Sequence, residues 1–133
     1  MRHKVFLSAL LVSGAALAFG NEPFLRMPDI HGDKLVFSSE GDLWLGSLSS
    51  GQAFRLTSDP GFERNAAFSP DGSEIAFEGE IDGTRQAYVI STQGGPPRRI
   101  SSIEGFRAVM SWTPNGKEVL VRSFNVPTNY KFS

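Results

Sequence analysis

From position 21 onward, apolar residues come in short bursts without the sustained i, i+3, i+4 spacing of an amphipathic helix. The bursts are Leu35-Val36-Phe37, Leu43-Trp44-Leu45, Ile75-Ala76-Phe77, Ala87-Tyr88-Val89-Ile90 and Val119-Leu120-Val121. They are rich in β-branched and aromatic side chains, the mix that packs well on a pleated surface. Turn signals separate them: Asp59-Pro60-Gly61, Pro70-Asp71-Gly72, Asp82-Gly83, Gly94-Gly95 and Asn115-Gly116. Asp-Gly and Asn-Gly suit tight hairpins because such turns need positive φ, which Gly and Asn tolerate best. The pattern predicts many short strands joined by tight turns.

The bursts also repeat. Phe68-Ser69-Pro70-Asp71-Gly72, followed by Ile75-Ala76-Phe77, is echoed by Trp112-Thr113-Pro114-Asn115-Gly116, followed by Val119-Leu120-Val121. The two glycines lie 44 positions apart (116 − 72), and Gly32 precedes Gly72 by 40 (72 − 32). Leu43-Trp44 matches Ala87-Tyr88, and Arg55-Leu56-Thr57 matches Arg99-Ile100-Ser101, both again at an offset of 44 (88 − 44 and 99 − 55). A period of about 40–45 residues holding four short strands is the signature of propeller blades. The predicted fold is therefore all-β, a β-propeller fragment of about two and a half four-stranded blades. Blade one is placed at 27–57, blade two at 65–101, and the start of blade three at 109–133. One such sheet cannot bury both faces, so Phe37, Trp44, Phe68, Phe77, Tyr88 and Trp112 are expected in the packing between blades. Stacked repeats of this kind close only with more units, so the natural protein is expected to continue past Ser133.

The first 20 residues change the picture. Arg2, His3 and Lys4 form a basic start, Val5 to Ala18 is mostly apolar, and small residues precede candidate cleavage points after Ala18 or Gly20. This is the layout of a secretory signal peptide, with residues 21–133 forming the propeller segment. The apolar run is too short to span a bilayer. The expected location is outside the cytoplasm, periplasmic or secreted, with no membrane span after cleavage. Without cysteine in the chain, disulfides, thiolate nucleophiles and Cys-based zinc sites are excluded. A formal net charge of -1 gives no reason to expect nucleic acid as a partner.

Few residues suggest chemistry. His31 lies just before a strand between Ile30 and Gly32, with no Gly-x-Ser-x-Gly elbow anywhere in the chain, and is read as a turn or capping residue. Glu78, Glu80, Asp82 and Gly83 loosely mimic a calcium loop, but the ligand position six residues after the glycine is Val89, so this stretch is read as a solvated hairpin. Arg85, Arg98, Arg99 and Arg107 supply scattered positive charge that can meet peptide carboxylates or acidic partners. Pro70, Asp71 and Gly72, and their counterparts Pro114, Asn115 and Gly116, are structural turn residues: Pro sets φ, Asp or Asn caps, and Gly takes positive φ. No catalytic, cofactor-binding or metal-ligating residue is expected.

Pro28-Asp29-Ile30-His31-Gly32-Asp33, Val36-Phe37 and Asp42-Leu43-Trp44 together resemble the opening blade of tricorn-type serine peptidases. The Phe68-to-Phe77 unit resembles the WD-like repeat that those propellers share with the periplasmic translocation protein TolB. The resemblance implies an N-terminal propeller that gates or binds peptides, with PDZ and peptidase regions elsewhere in the chain and the catalytic motif outside this segment. Peptides, or the remaining domains of the same chain, are then the expected partners, and a homo-oligomer of the full-length protein is compatible with it. A TolB-like scaffold that binds envelope proteins is the alternative, and the propeller of a prolyl-oligopeptidase-like enzyme is a third reading. A fragment ending on an open blade exposes apolar faces and strand edges. Expressed by itself, the 133-residue chain is expected to self-associate; a monodisperse monomer with one cooperative melt in light scattering and calorimetry would contradict this.

Overall fold

The computed structural model describes residues 25–102 and 104–124; the predicted signal peptide lies outside them. Ten strands follow in chain order: β1 (Arg26–His31), β2 (Lys34–Ser39), β3 (Asp42–Ser47), β4 (Ala53–Arg55), β5 (Arg64–Phe68), β6 (Glu74–Gly79), β7 (Gln86–Ser91), β8 (Arg98–Arg99), β9 (Phe106–Trp112) and β10 (Val119–Ser123). Strands β1 to β4 form one antiparallel meander, β5 to β8 a second, and β9 pairs with β10 in a third sheet. Among the described residues there is no helix, as the absence of 3.6-residue periodicity leads one to expect.

The matched units fold alike. Phe37 pairs across the ladder with Trp44, and Phe77 with Tyr88. In a strand, successive side chains point to opposite faces, so each sheet has two distinct surfaces. On one face of the second sheet stand Ile75, Phe77, Tyr88 and Ile90, packed with Val36, Leu43 and Leu45 of the first sheet and with Phe68. The Phe77 and Tyr88 rings stack there, centroids 5.8 Å apart. On the other face stand Ala76, Ala87 and Val89, packed with Phe106, Val109, Val119 and Val121 of the third sheet. Sheet two therefore turns a bulky face to the sheet before it and a small-residue face to the sheet after it. Its central strands are buried on both sides, and Phe77 is 0% exposed. Sequestering each of these large side chains stabilises the stack by about 1.5–3 kcal/mol.

Four of the six expected core aromatics, Phe68, Phe77, Tyr88 and Trp112, lie in or against these two interfaces. The pairing register puts Phe37 and Trp44 on the face of sheet one turned away from sheet two. The repeat explains why: they are the counterparts of Phe77 and Tyr88, which also face backward along the stack.

The first strands of successive sheets touch, β1 with β5 and β5 with β9, so the sheets converge on them. Polar bonds pin this line. Phe68 N donates to Asp29 Oδ2 at 2.8 Å, and Trp112 Nε1 donates to the Ala67 carbonyl at 2.9 Å. Lys34 Nζ reaches from sheet one to the Gly72 carbonyl at 3.1 Å. His31 closes β1 and crosses to the next blade, where its ring meets Phe68 at 5.8 Å and lies against Gly72. Gly72 has φ +71°, and a Cβ built there would come within 2.2 Å of His31 Cδ2. His31 is thus an inter-blade packing group, and Gly72 is the residue that admits it. Substituting Gly72→Ala should destabilise the propeller by at least about 1–2 kcal/mol from backbone conformation alone. Adding His31→Ala should recover the steric part of the loss, measured by denaturant unfolding of the protein at its full natural length.

Candidate functional site

Two grooves lie at opposite ends of the strands. The first, about 400 Å³, sits between the β5–β6 and β9–β10 turns and is lined by Ser69, Pro70, Asp71, Pro114, Asn115 and Gly116 among others. These turn groups are bonded within their own turns. Asp71 Oδ1 accepts from Ser69 Oγ at 2.7 Å and from Ser73 N and Oγ at 3.0 and 2.7 Å. The Ser69 hydroxyl foremost, and then the Ser73 donors, hold the Asp71 carboxyl down at about 2. Asn115 Oδ1 plays the same part, accepting from Thr113 Oγ1 at 2.7 Å and Lys117 N at 3.0 Å. At neutral pH the Asp71 carboxyl is ionised and held by its own turn.

The second groove, about 510 Å³, opens between sheets two and three at the β6–β7 end. Thr84, Arg85, Arg99, Glu104, Phe106 and Arg107 contribute to its walls. Three arginines that the sequence shows as scattered are brought together here; Arg98 points elsewhere, as its neighbour on a strand must. Each of the three is oriented. Arg85 Nε lies 3.6 Å from Glu80. Arg99 pairs with Asp82 through Nη1 and donates from Nε to the Ser101 carbonyl at 2.7 Å. The Arg107 guanidinium lies 3.8 Å above the Phe124 ring centroid, a cation–π contact. Tyr88 links the groove to the core: its hydroxyl donates to Asp82 Oδ1 at 2.9 Å. That bond, helped by Arg99, lowers the Asp82 carboxyl, while burial and the Asp82 charge push the Tyr88 phenol up to about 12. With Glu104 in the wall and Glu80 and Asp82 at the rim, the groove is close to charge balance. Guanidinium groups so placed can donate to carbonyl or carboxylate oxygens.

The stretch read as a solvated hairpin is only partly so. Glu78 is buried, bonded to Arg64 Nε at 3.2 Å and to the Asn65 amide. The period-2 alternation of β6 sends Glu78 inward with Ala76, and an arginine fourteen residues upstream meets it; the local acidic run gives no sign of that partner.

A hydroxyl buried at the end of each blade escaped the sequence reading. Thr57 Oγ1 accepts from Leu43 N at 2.9 Å and donates to Glu63 Oε2 at 2.8 Å. Ser101 Oγ accepts from Ala87 N at 2.8 Å and donates to Gln86 Oε1 at 2.5 Å. Its one trace in the sequence is the match between Arg55-Leu56-Thr57 and Arg99-Ile100-Ser101. Glu63 is 1% exposed, and burial above all, joined by the Asp42 and Asp59 charges and opposed by the Thr57 bond, pushes its carboxyl up to about 7.

Antiparallel sheets of four strands, stacked face to face and converging on their first strands, define a segment of a β-propeller. Residues 22–133 match the family described as the tricorn protease N-terminal beta propeller domain, and the chain belongs to that family. Tricorn protease homolog 1 of Streptomyces coelicolor is 31% identical over 102 residues, covering 76% of this chain and 10% of that protein. The crystal structure of the tricorn protease superposes with a TM-score of 0.61 at 30% identity, covering 73% of this chain and 10% of that one. TolB from Acinetobacter baumannii superposes with a TM-score of 0.65 at 25% identity, covering 78% of this chain and 28% of that one. The chain thus spans about a tenth of the length of the tricorn relative.

Thr57→Val should cost about 1–3 kcal/mol because it strands the buried Leu43 N–H. Thr57→Ser should be tolerated, and a pair of thermal melts on the protein at its full natural length distinguishes the two.

Proposed function

We propose that this chain is the N-terminal propeller segment of a larger, exported tricorn-like serine peptidase, and that it gates or binds peptides without chemistry of its own. The observation that carries the reading is the match of residues 22–133 to a protease's N-terminal propeller domain, combined with a relative of which the chain covers 10%. The arginine-walled groove between sheets two and three supports it, because the groove presents oriented guanidinium donors and an aromatic wall to a peptide's carbonyls and carboxylates. The basic start and apolar run of residues 2–18 support export, in a bacterium, to the periplasm or beyond.

A second reading is a TolB-like scaffold that binds envelope proteins, favoured by the superposition on TolB. The two part in one experiment. The protein at its full natural length is assayed for hydrolysis of a peptide library, in parallel with an Arg85→Ala/Arg107→Ala variant. The peptidase reading expects cleavage by the parent and a several-fold rise in KM for acidic peptides, with kcat little changed, in the variant. Absence of cleavage together with specific retention of envelope proteins would favour the scaffold.

A further inference from the structure

At the junction of the first two blades, one carboxyl group is buried beside another. Glu63 ends the connector from β4 to β5, and its N–H donates to the Gly41 carbonyl at 2.7 Å. Its Oε2 accepts from Thr57 Oγ1 at 2.8 Å, while Oε1 is buried with no donor to accept from. The Asp42 carboxylate of β3 stands beside it, and Asp59 of the connector adds further negative charge. Asp42 is itself held by the Arg55 guanidinium of β4 at 2.5 Å. Arg64, the next residue in the chain, is turned to Glu78 of β6 at 3.2 Å and is already paired. Two carboxylates are both acceptors, so a hydrogen bond between them needs a proton on one.

The repeat supplies an internal comparison. In blade two the position of Asp42 is taken by Gln86 and that of Thr57 by Ser101. There the hydroxyl donates to a neutral amide oxygen. At this position blade one carries the Asp42 carboxylate and blade two the Gln86 amide.

We propose that Glu63 is a proton-operated latch between blade one and blade two. Protonated, it donates from Oε1 to Asp42 and seals the joint. Ionised, it sets a second charge against Asp42 and loosens the connector from Gly41 and Thr57. In the opened joint Glu63 is solvated and ionises near its ordinary value of 4.5, whereas in the closed joint it does so at about 7. A carboxyl raised on closing contributes stability that is complete below the lower value, falls as pH rises between the two, and levels off above the upper one. The joint is thus tight in mildly acidic surroundings and loose at neutral pH and above.

Hydrogen exchange of the protein at its full natural length, corrected for the intrinsic pH dependence of exchange, tests this. Protection of peptides spanning residues 41–63 should fall by about tenfold per pH unit from about 5 to 7 and then level off. Peptides spanning residues 86–101 should show no such slope. Glu63→Gln should abolish the slope at 41–63. Should that variant fail to fold, Asp42→Asn should move the upper end of the window to lower pH by removing the neighbouring charge. A flat profile in the parent, an equal slope at 86–101, a slope retained in Glu63→Gln, or an upper limit left unmoved in Asp42→Asn overturns the proposal.

Discussion

The packing of Ile75, Phe77, Tyr88 and Ile90 against Val36, Leu43 and Leu45 is the interaction from which the rest of the architecture follows. A four-stranded sheet with two apolar faces cannot satisfy both by itself, so every sheet needs a neighbour on each side. That need brings the first strands together and puts β1, β5 and β9 within reach of one another. Only then can Asp29, Lys34 and Trp112 bond across sheets and His31 seat itself against Gly72. The polar pins are consequences of the apolar stacking, and they refine the angle and register that it permits.

Much of this architecture is legible in the residues. The offsets of 40 and 44 mark the units, and the strand bursts coincide with the central strands. Two features resist the one-dimensional view. Glu78 sits in an acidic run that looks solvated, yet strand alternation turns it inward to Arg64, a partner set by the pairing of β5 with β6. The three arginines of the groove come from the β6–β7 turn, from β8 and from β9, so their convergence exists only once sheets two and three are stacked. The Thr57 and Ser101 hydroxyls are an intermediate case: the repeat shows that they correspond, but only the ladder shows that each closes over the backbone N–H of the third strand in its sheet.

The electrostatics divide the molecule into two ends of different character. Around the Pro-Asp-Gly and Pro-Asn-Gly turns, Ser69, Asp71, Ser73, Thr113 and Asn115 are committed to their own loops and serve geometry. At the opposite end, guanidinium groups are oriented by Glu80, Asp82 and Phe124 but keep donors available to a visitor. Tyr88 spans the distance between core and rim, with its ring stacked on Phe77 and its hydroxyl on Asp82. A contact made at the rim is therefore mechanically connected to the packing of blade two against blade one.

The unequal faces of sheet two carry one more implication. In sheet two the bulky residues point backward and the small ones forward, so this blade carries an arrow along the stack. Turned about, it would set Ala76 and Ala87 against Val36, Leu43 and Leu45 and leave voids where Phe77 and Tyr88 now fill the space. Gain or loss of a whole unit preserves the arrow, whereas reversal of a single one breaks it. Sequence within this blade can therefore diverge, so long as its large and small faces are kept.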